Sequence, residues 1–299
     1  MPITHSFDYQ KPGSLREALA LLARKSAVAL AGGTDLIGHL KEGLVSPELL
    51  VDLKGLKELK KIEHRGGALH IGALVTFAEV IDSKVIGKKL PVLAEIARKV
   101  ASVGIRNRAT LVGNLCSAVP CLDTGPILVA MDALVLVKGK RGSRKIPAEK
   151  WFIAPRKTAR KPGELVTGIS IPLPRGKAAA CYLKLGRYRG EDLAQASVFV
   201  SIEQSSRGAK ARNFRVAFGS VGPVPCRARK IEKALAAGGA LIDMVALKKL
   251  VPAEISPITD IRASKEYRLH MCQVMLERAL AAADGRLNGT GPAYGASLL

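Results

Sequence analysis

The chain lacks most of the materials for self-sufficient catalysis. Its five histidines are dispersed, and neither an HExxH helix nor a Ser-His-Asp order can be assembled from them. The five cysteines, Cys116, Cys121, Cys181, Cys226 and Cys272, contain no CxxC pair and no dense cluster. That excludes a zinc or iron-sulfur centre held by this chain's own spacing, and the thiols read as small buried hydrophobes. Aromatics make up only 4% of the residues, too few for a platform that stacks nucleic-acid bases. No apolar run reaches the roughly 18 residues of a membrane span. The opening MPITHSFDYQKPGS has no basic segment leading into an apolar one, so neither a secretory signal nor a transit peptide is expected, and the chain reads as cytoplasmic. GxGxxG after a first strand and GxxxxGK[ST] are both missing, so the Rossmann and P-loop templates do not apply.

What is present is a globular composition, 299 residues with 48% hydrophobic, long enough for one large or two ordinary domains. Charge is the anomaly: 47 Lys and Arg against 25 Asp and Glu give a net +22. The basic residues fall in separated runs (KGLKELKK, KGKRGSRK, RKTARK, KLGRYR) that read as solvated faces or as docking ground for an acidic partner protein.

Along the chain, FDYQKPGSLREALALLARKS reads as a short strand, a Pro-Gly break and a helix capped by Ser14, with Glu17 at the capping-box spacing. VALAGGTDLIGHLKEG reads as strand, glycine turn and a helix from about Asp35. LLVDLKGL, ALHIGALVTFAEVID and LPVLAEIARKVAS continue the mixture, so the class is α+β. A Gly-Asn turn at Val112-Gly113-Asn114 and a turn in PCLDTGP precede a buried helix that leads into a strand. The Pro-rich and basic stretch before residue 176 marks a domain junction. Beyond it, 181–228 reads as strands and a helix. Two further helices, RKIEKALAAGG and ASKEYRLHMCQVMLERALAAA, precede a Gly-rich tail.

The quietest stretch is Thr110 to Val137, which contains no Lys or Arg and whose only charges are Asp123 and Asp132. It shares a trait with VALAGGTDLIGHL: small residues, glycine, a hydroxyl and no basic side chain. Glycines let a backbone approach a ligand and adopt positive φ, so that successive N–H groups converge on an anion, and a helix starting after the turn reinforces this. Such a cradle needs no lysine. On spacing alone, ordinary tight turns are the better explanation of both loops.

Three segments together carry a resemblance: AGGTDL at 31–36, TLVGNLCSAVPCLDTGPILVAMDA at 110–133, and YLKLGRYRGEDLAQASV at 182–198. They are similar to the FAD-binding medium subunit of the molybdenum hydroxylases, of the xanthine dehydrogenase and carbon monoxide dehydrogenase type. FDYQKPGSLREALALLA and DIRASKEYRLHMCQVMLERAL extend the likeness over nearly the whole chain. The resemblance implies an FAD-binding domain over 1–176 with the fold of vanillyl-alcohol oxidase (PCMH type), in subdomains of about 1–58 and 59–176. A CO dehydrogenase flavoprotein-like α+β domain over 177–285 and a tail over 286–299 would follow.

The resemblance also implies that Ala31, Gly32, Gly33, Thr34 and Asp35 form one FAD pyrophosphate loop and Thr110, Leu111, Val112, Gly113 and Asn114 the other. Val112 stands where the family often has a second glycine. Asp123 matches an aspartate that contacts the cofactor and Lys184 a lysine near the flavin ring; Tyr182 and Tyr188, which flank that lysine, read as strand core. The implied partners are a large molybdopterin-binding subunit and a small subunit with [2Fe-2S] clusters, and the implied acceptor is NAD or another electron acceptor. No catalytic residue is assigned. A stand-alone reductase of the same cofactor fold and a basic nucleic-acid-binding protein are the competing readings.

Overall fold

A computed structural model describes residues 2–188, 190–204, 212–238 and 243–299. The chain begins with a three-stranded parallel sheet, β1 (Asp8–Gln10), β2 (Ala27–Leu30) and β3 (Leu49–Asp52), in the order β1-β3-β2. Parallel strands need crossovers, and the helices Leu15–Leu22 and Leu36–Lys41 supply them. The first buries Ala18, Leu19 and Leu22, spaced as one helix face. Ser14 caps it by accepting the Glu17 N–H at 3.2 Å, but the Glu17 carboxylate reaches back to the Gly13 N–H at 2.8 Å, so the expected reciprocal box is displaced by one residue.

The next strands are β4 (Ile62–Arg65), β5 (Ala68–Gly72), β6 (Leu134–Gly139), β7 (Gly142–Pro147), β8 (Phe152–Ala154), β9 (Lys157–Thr158) and β10 (Leu165–Pro172). Five of them make an antiparallel sheet, β4-β5-β10-β6-β7, and β8 pairs with β9. Alternation decides which face is covered: Leu69, Ile71, Val135, Val137, Ile169 and Ile171 are buried and share a cluster with Leu93, Ile96, Leu111, Leu115 and Leu128 from the helices inserted between β5 and β6.

Strands β11 (Ala178–Leu185), β12 (Ala196–Gln204), β13 (Arg212–Gly219) and β14 (Cys226–Arg227) form an antiparallel sheet in chain order. The sequence reading placed a helix within 181–228; the described residues there hold none. GEDLAQAS is instead pinned as a turn by Asp192, whose carboxylate accepts the N–H groups of Arg187 and Leu193. Period 2 divides this sheet between two cores. Ala179, Cys181 and Leu183 pack with the C-terminal helix Lys265–Asn288, whereas Ala180, Tyr182, Phe199 and Ala217 join the core of the first domain. The long helix buries Cys272, Met275, Leu276, Ala279, Leu280, Ala283 and Leu287, a helical stripe, and stops at Gly289 with φ +81°.

Candidate cofactor site

Ala31 to Asp35 leaves the end of β2 and enters the helix Leu36–Lys41. Gly33 has φ +81°, a backbone conformation that a Cβ disfavours, and its carbonyl accepts the Ile37 N–H at 3.0 Å. The Asp35 carbonyl takes the His39 N–H at 3.0 Å, yet the N–H groups of Gly32, Gly33, Thr34 and Asp35 have no hydrogen-bond partner among the described residues. A row of free amides beside a positive-φ glycine is the kind of backbone from which anion nests are built. The following helix has only six residues, so these amides, rather than a long helix dipole, are what the loop offers. Gly32 has a separate reason to be glycine: a Cβ there would stand 2.0 Å from the Arg108 carbonyl oxygen, because the first loop lies directly on the chain leading into the second.

The second loop is not the Gly-Asn turn read from the sequence. Thr110 caps the helix Leu111–Ser117, and Leu111, Val112, Gly113 and Asn114 are its first residues. The reason is local. Thr110 Oγ1 accepts the Gly113 N–H at 2.9 Å and its carbonyl the Asn114 N–H at 3.0 Å, while the Leu111 N–H goes to Val75 O at 3.2 Å beside a bridge between Thr76 and Thr110. Leu111 and Val112 turn their side chains into the core. Most amides of this segment are therefore committed to the protein. Its side chains bind it to its surroundings: Thr124 donates to Asn114 Oδ1 at 2.6 Å, and the Ser117 hydroxyl donates to the Asp35 carboxylate, tying the two loops together.

Asp123 and Lys184 meet across the junction of the two domains. Lys184 Nζ donates to Asp123 Oδ2 at 2.9 Å and to the Lys99 carbonyl at 2.7 Å, and the Tyr182 hydroxyl donates to Asp123 Oδ1 at 2.8 Å. The lysine and aspartate side chains are each 8% exposed, which removes the screening that makes surface pairs weak. Burial pushes the Asp123 carboxyl above the ordinary range, against the pull of the Lys184 ammonium and the Tyr182 hydroxyl. Burial, then the Asp123 charge, drives the Tyr182 phenol far up, so it stays a hydrogen-bond donor. Cys121 is likewise raised by burial and by Asp123.

Sequence reading thus assigned Tyr182 to the core and missed its bond to Asp123, and it missed Ser117 and Thr124. A period-2 signal was available for Tyr182, which shares a strand face with Lys184. Tyr188, also read as core, is 59% exposed and its hydroxyl donates to the Glu191 carbonyl. Among the described residues no group of His, Cys, Asp and Glu could hold a metal ion, and no helix is long and apolar enough to cross a membrane. Burial raises the Cys181 thiol to about 12, which makes it inert, whereas Cys116, read from the sequence as a buried hydrophobe, is exposed. A cavity of about 260 Å³ by Glu58, Glu63, Arg65 and His70 involves none of the loop residues.

Residues 5–174 match the family described as the FAD binding domain in molybdopterin dehydrogenase, and residues 181–283 match the CO dehydrogenase flavoprotein C-terminal domain. The carbon monoxide dehydrogenase medium chain of Afipia carboxidovorans is 35% identical over 95% of this chain and 99% of that one. A putative xanthine dehydrogenase FAD-binding subunit of Escherichia coli is 30% identical over 93% and 98%. In a crystal structure of the Cu,Mo-CO dehydrogenase in its cyanide-inactivated form, one chain superposes with a TM-score of 0.89 at 33% identity, covering 95% of this chain and all of that one. The protein belongs to the FAD-binding medium subunits of the molybdenum hydroxylases, an oxidoreductase subunit that carries FAD.

Proposed function

We propose that this chain is the electron-transfer subunit of a cytoplasmic molybdenum hydroxylase, a heterotrimer with a large molybdopterin-binding subunit and a small [2Fe-2S] subunit, and that NAD or another acceptor takes the electrons. FAD, when bound, accepts electrons singly and releases them as a pair, which suits a junction between clusters and a two-electron acceptor. The observation that carries the reading is the row of four free amides at Gly32, Gly33, Thr34 and Asp35, which fits a pyrophosphate without any basic side chain.

In this reading Ala31, Gly32, Gly33, Thr34 and Asp35 hold the pyrophosphate from one side, and the helix capped by Thr110, with Leu111, Val112, Gly113 and Asn114, supports them from the other. Asp123 and Lys184 serve the ring end. Tyr182 and the Lys99 carbonyl hold that pair, so each of its charges is satisfied before the cofactor arrives. These residues bind and orient, and among the described residues no group of His, Cys, Asp and Glu could hold a metal ion.

An absorption spectrum of the tagged chain purified gently from its host tests this. FAD with an iron-sulfur shoulder and two co-purifying chains is the expected result. A colourless protein that carries nucleic acid would overturn it.

A further inference from the structure

The C-terminal tail folds back across the edge of β11. Thr290 N–H returns to Gly285 O at 2.9 Å, and a Cβ on Gly291 would stand 2.2 Å from the Arg286 amide nitrogen, so the reversal is tight enough to require glycine. Around this reversal the Arg286 guanidinium is almost fully engaged. Nε donates to Pro292 O at 2.9 Å, Nη2 to Ala293 O at 3.1 Å and Nη1 to Ala180 O at 2.7 Å, and the guanidinium carbon lies 4.1 Å from the centroid of the Tyr294 ring. The Tyr294 hydroxyl in turn accepts the Ala180 N–H at 3.2 Å.

Arg286 also reaches into the other domain. Nη1 stands 3.0 Å from Glu95 Oε2, with side chains only 4% and 1% exposed. Neither carboxylate oxygen receives an aligned hydrogen bond among the described residues, so the contact is an ion pair held in place by the guanidinium's other bonds. Glu95 belongs to the helix Pro91–Arg98, and Lys99 caps its C-terminus one turn later. The Lys99 carbonyl is the acceptor that holds Lys184 against Asp123. Ala180, Tyr182 and Lys184 share one face of β11. One buried cation therefore grips both partners of the seam: the strand that carries Lys184 and the helix whose end receives it.

We propose that Arg286, clasped by the tail residues 290–294, is a positioning residue for the cofactor: through Glu95 and Ala180 it fixes the spacing of helix 91–98 and β11, and so the placement of Lys184 and Asp123. The inference rests on the reading that this pair serves the ring end of the FAD site.

The test uses the full chain and FAD, reading the dissociation constant by flavin fluorescence and the visible circular dichroism of the bound flavin, beside thermal unfolding. Arg286→Met should weaken FAD by about two- to thirtyfold, the range for mutations that act through a packed network, and change the dichroism. The double variant Glu95→Gln/Arg286→Met removes both buried charges. It should regain thermal stability and still bind FAD weakly, an outcome a merely structural role would not produce. Normal FAD affinity and dichroism in Arg286→Met, with only the melting temperature lowered, would overturn the proposal. If Arg286→Met does not fold, Tyr294→Ala loosens the clasp more gently, and unchanged FAD parameters in it would overturn the proposal too. Lys184→Met separates the premises: if it leaves both FAD readouts unchanged, the ring-end reading itself is wrong; if it changes them while Arg286→Met does not, only the clasp is.

Discussion

The two ends of the candidate site are built from opposite materials. At the first glycine loop the working groups are backbone amides, unpaired and uncharged, held by turn geometry within a few residues. At the domain seam they are side chains, a carboxylate, an ammonium and a phenol, buried and satisfied by one another across some sixty residues of sequence. An amide row needs only glycine and a local turn, tolerates solvent and does not titrate. A buried charge network fails as a unit when one member is lost. Between the two ends, the helix Leu111–Ser117 is scaffold more than cradle, since the amides of Leu111, Gly113 and Asn114 are already committed.

The largest effect should come from breaking the seam. Lys184→Met leaves Asp123 buried without its cation, and unfolding measured in denaturant should show a loss of about 3 kcal/mol, the usual scale for one orphaned partner of a buried pair. A much smaller loss would mean that the seam admits water and resembles a surface pair. The paired variants Gly32→Ala and Gly33→Ala probe the other end. Gly32→Ala drives a Cβ against the Arg108 carbonyl and should destabilise by about 1–3 kcal/mol, as overpacking does. Gly33→Ala forces alanine to positive φ at about 1–2 kcal/mol. Both should weaken FAD in calorimetry; undiminished binding in both would remove the amide row from the site.

Acid and base should also separate the two ends. The folded Asp123 pKa lies above its unfolded value, so the stability linked to this group is fully present below the ordinary carboxylate range and is lost as pH rises through the folded value. Asp52, Glu164, Asp192 and Asp260 are shifted the other way and give the wild-type curve an opposing rise, so the decline is read as the difference between wild type and Asp123→Asn in chemical denaturation over a series of pH values. That difference should fall as pH rises, while Gly33→Ala should shift the whole curve without changing its slope, because the substitution neither adds nor removes a titrating group. A difference that grows with pH instead would mean that Lys184 outweighs burial at Asp123.

How far the sequence could carry the argument follows from the same contrast. The glycine loop was legible because positive φ and backbone approach are demanded of individual residues, and the cap at Ser14 follows from a short side chain at a fixed offset. The seam was legible only through the family resemblance, which supplied Asp123 and Lys184 but not Tyr182, since no local pattern brings residues so far apart together. Two misreadings have physical causes. Gly113-Asn114 is good turn chemistry, but the Thr110 hydroxyl and the Thr76 bridge recruited it into a helix. The helix expected within 181–228 lost to strand pairing in which β12 is paired along both sides, with Ala196, Val198, Val200 and Ile202 facing one core and Phe199 the other.

The smallest expected effect is at the link between the loops. The Ser117 hydroxyl has one hydrogen and two acceptors in reach, the Asp35 carboxylate and, at 3.2 Å, the Gly113 carbonyl; the ionised group is the better acceptor and should hold it. Because the bond is exposed, Ser117→Ala should cost only about 0.5 kcal/mol in denaturant unfolding, the low end for a net hydrogen bond. FAD affinity should fall less than in Gly33→Ala, since the amide row keeps its conformation from φ at Gly33 and the packing of Gly32 on Arg108. A fall as large as that of Gly33→Ala would mean that the mutual orientation of the loops, not the free amides, sets the binding. The division between a backbone end and a side-chain end would then give way to one continuous side-chain network running from Asp35 through Ser117.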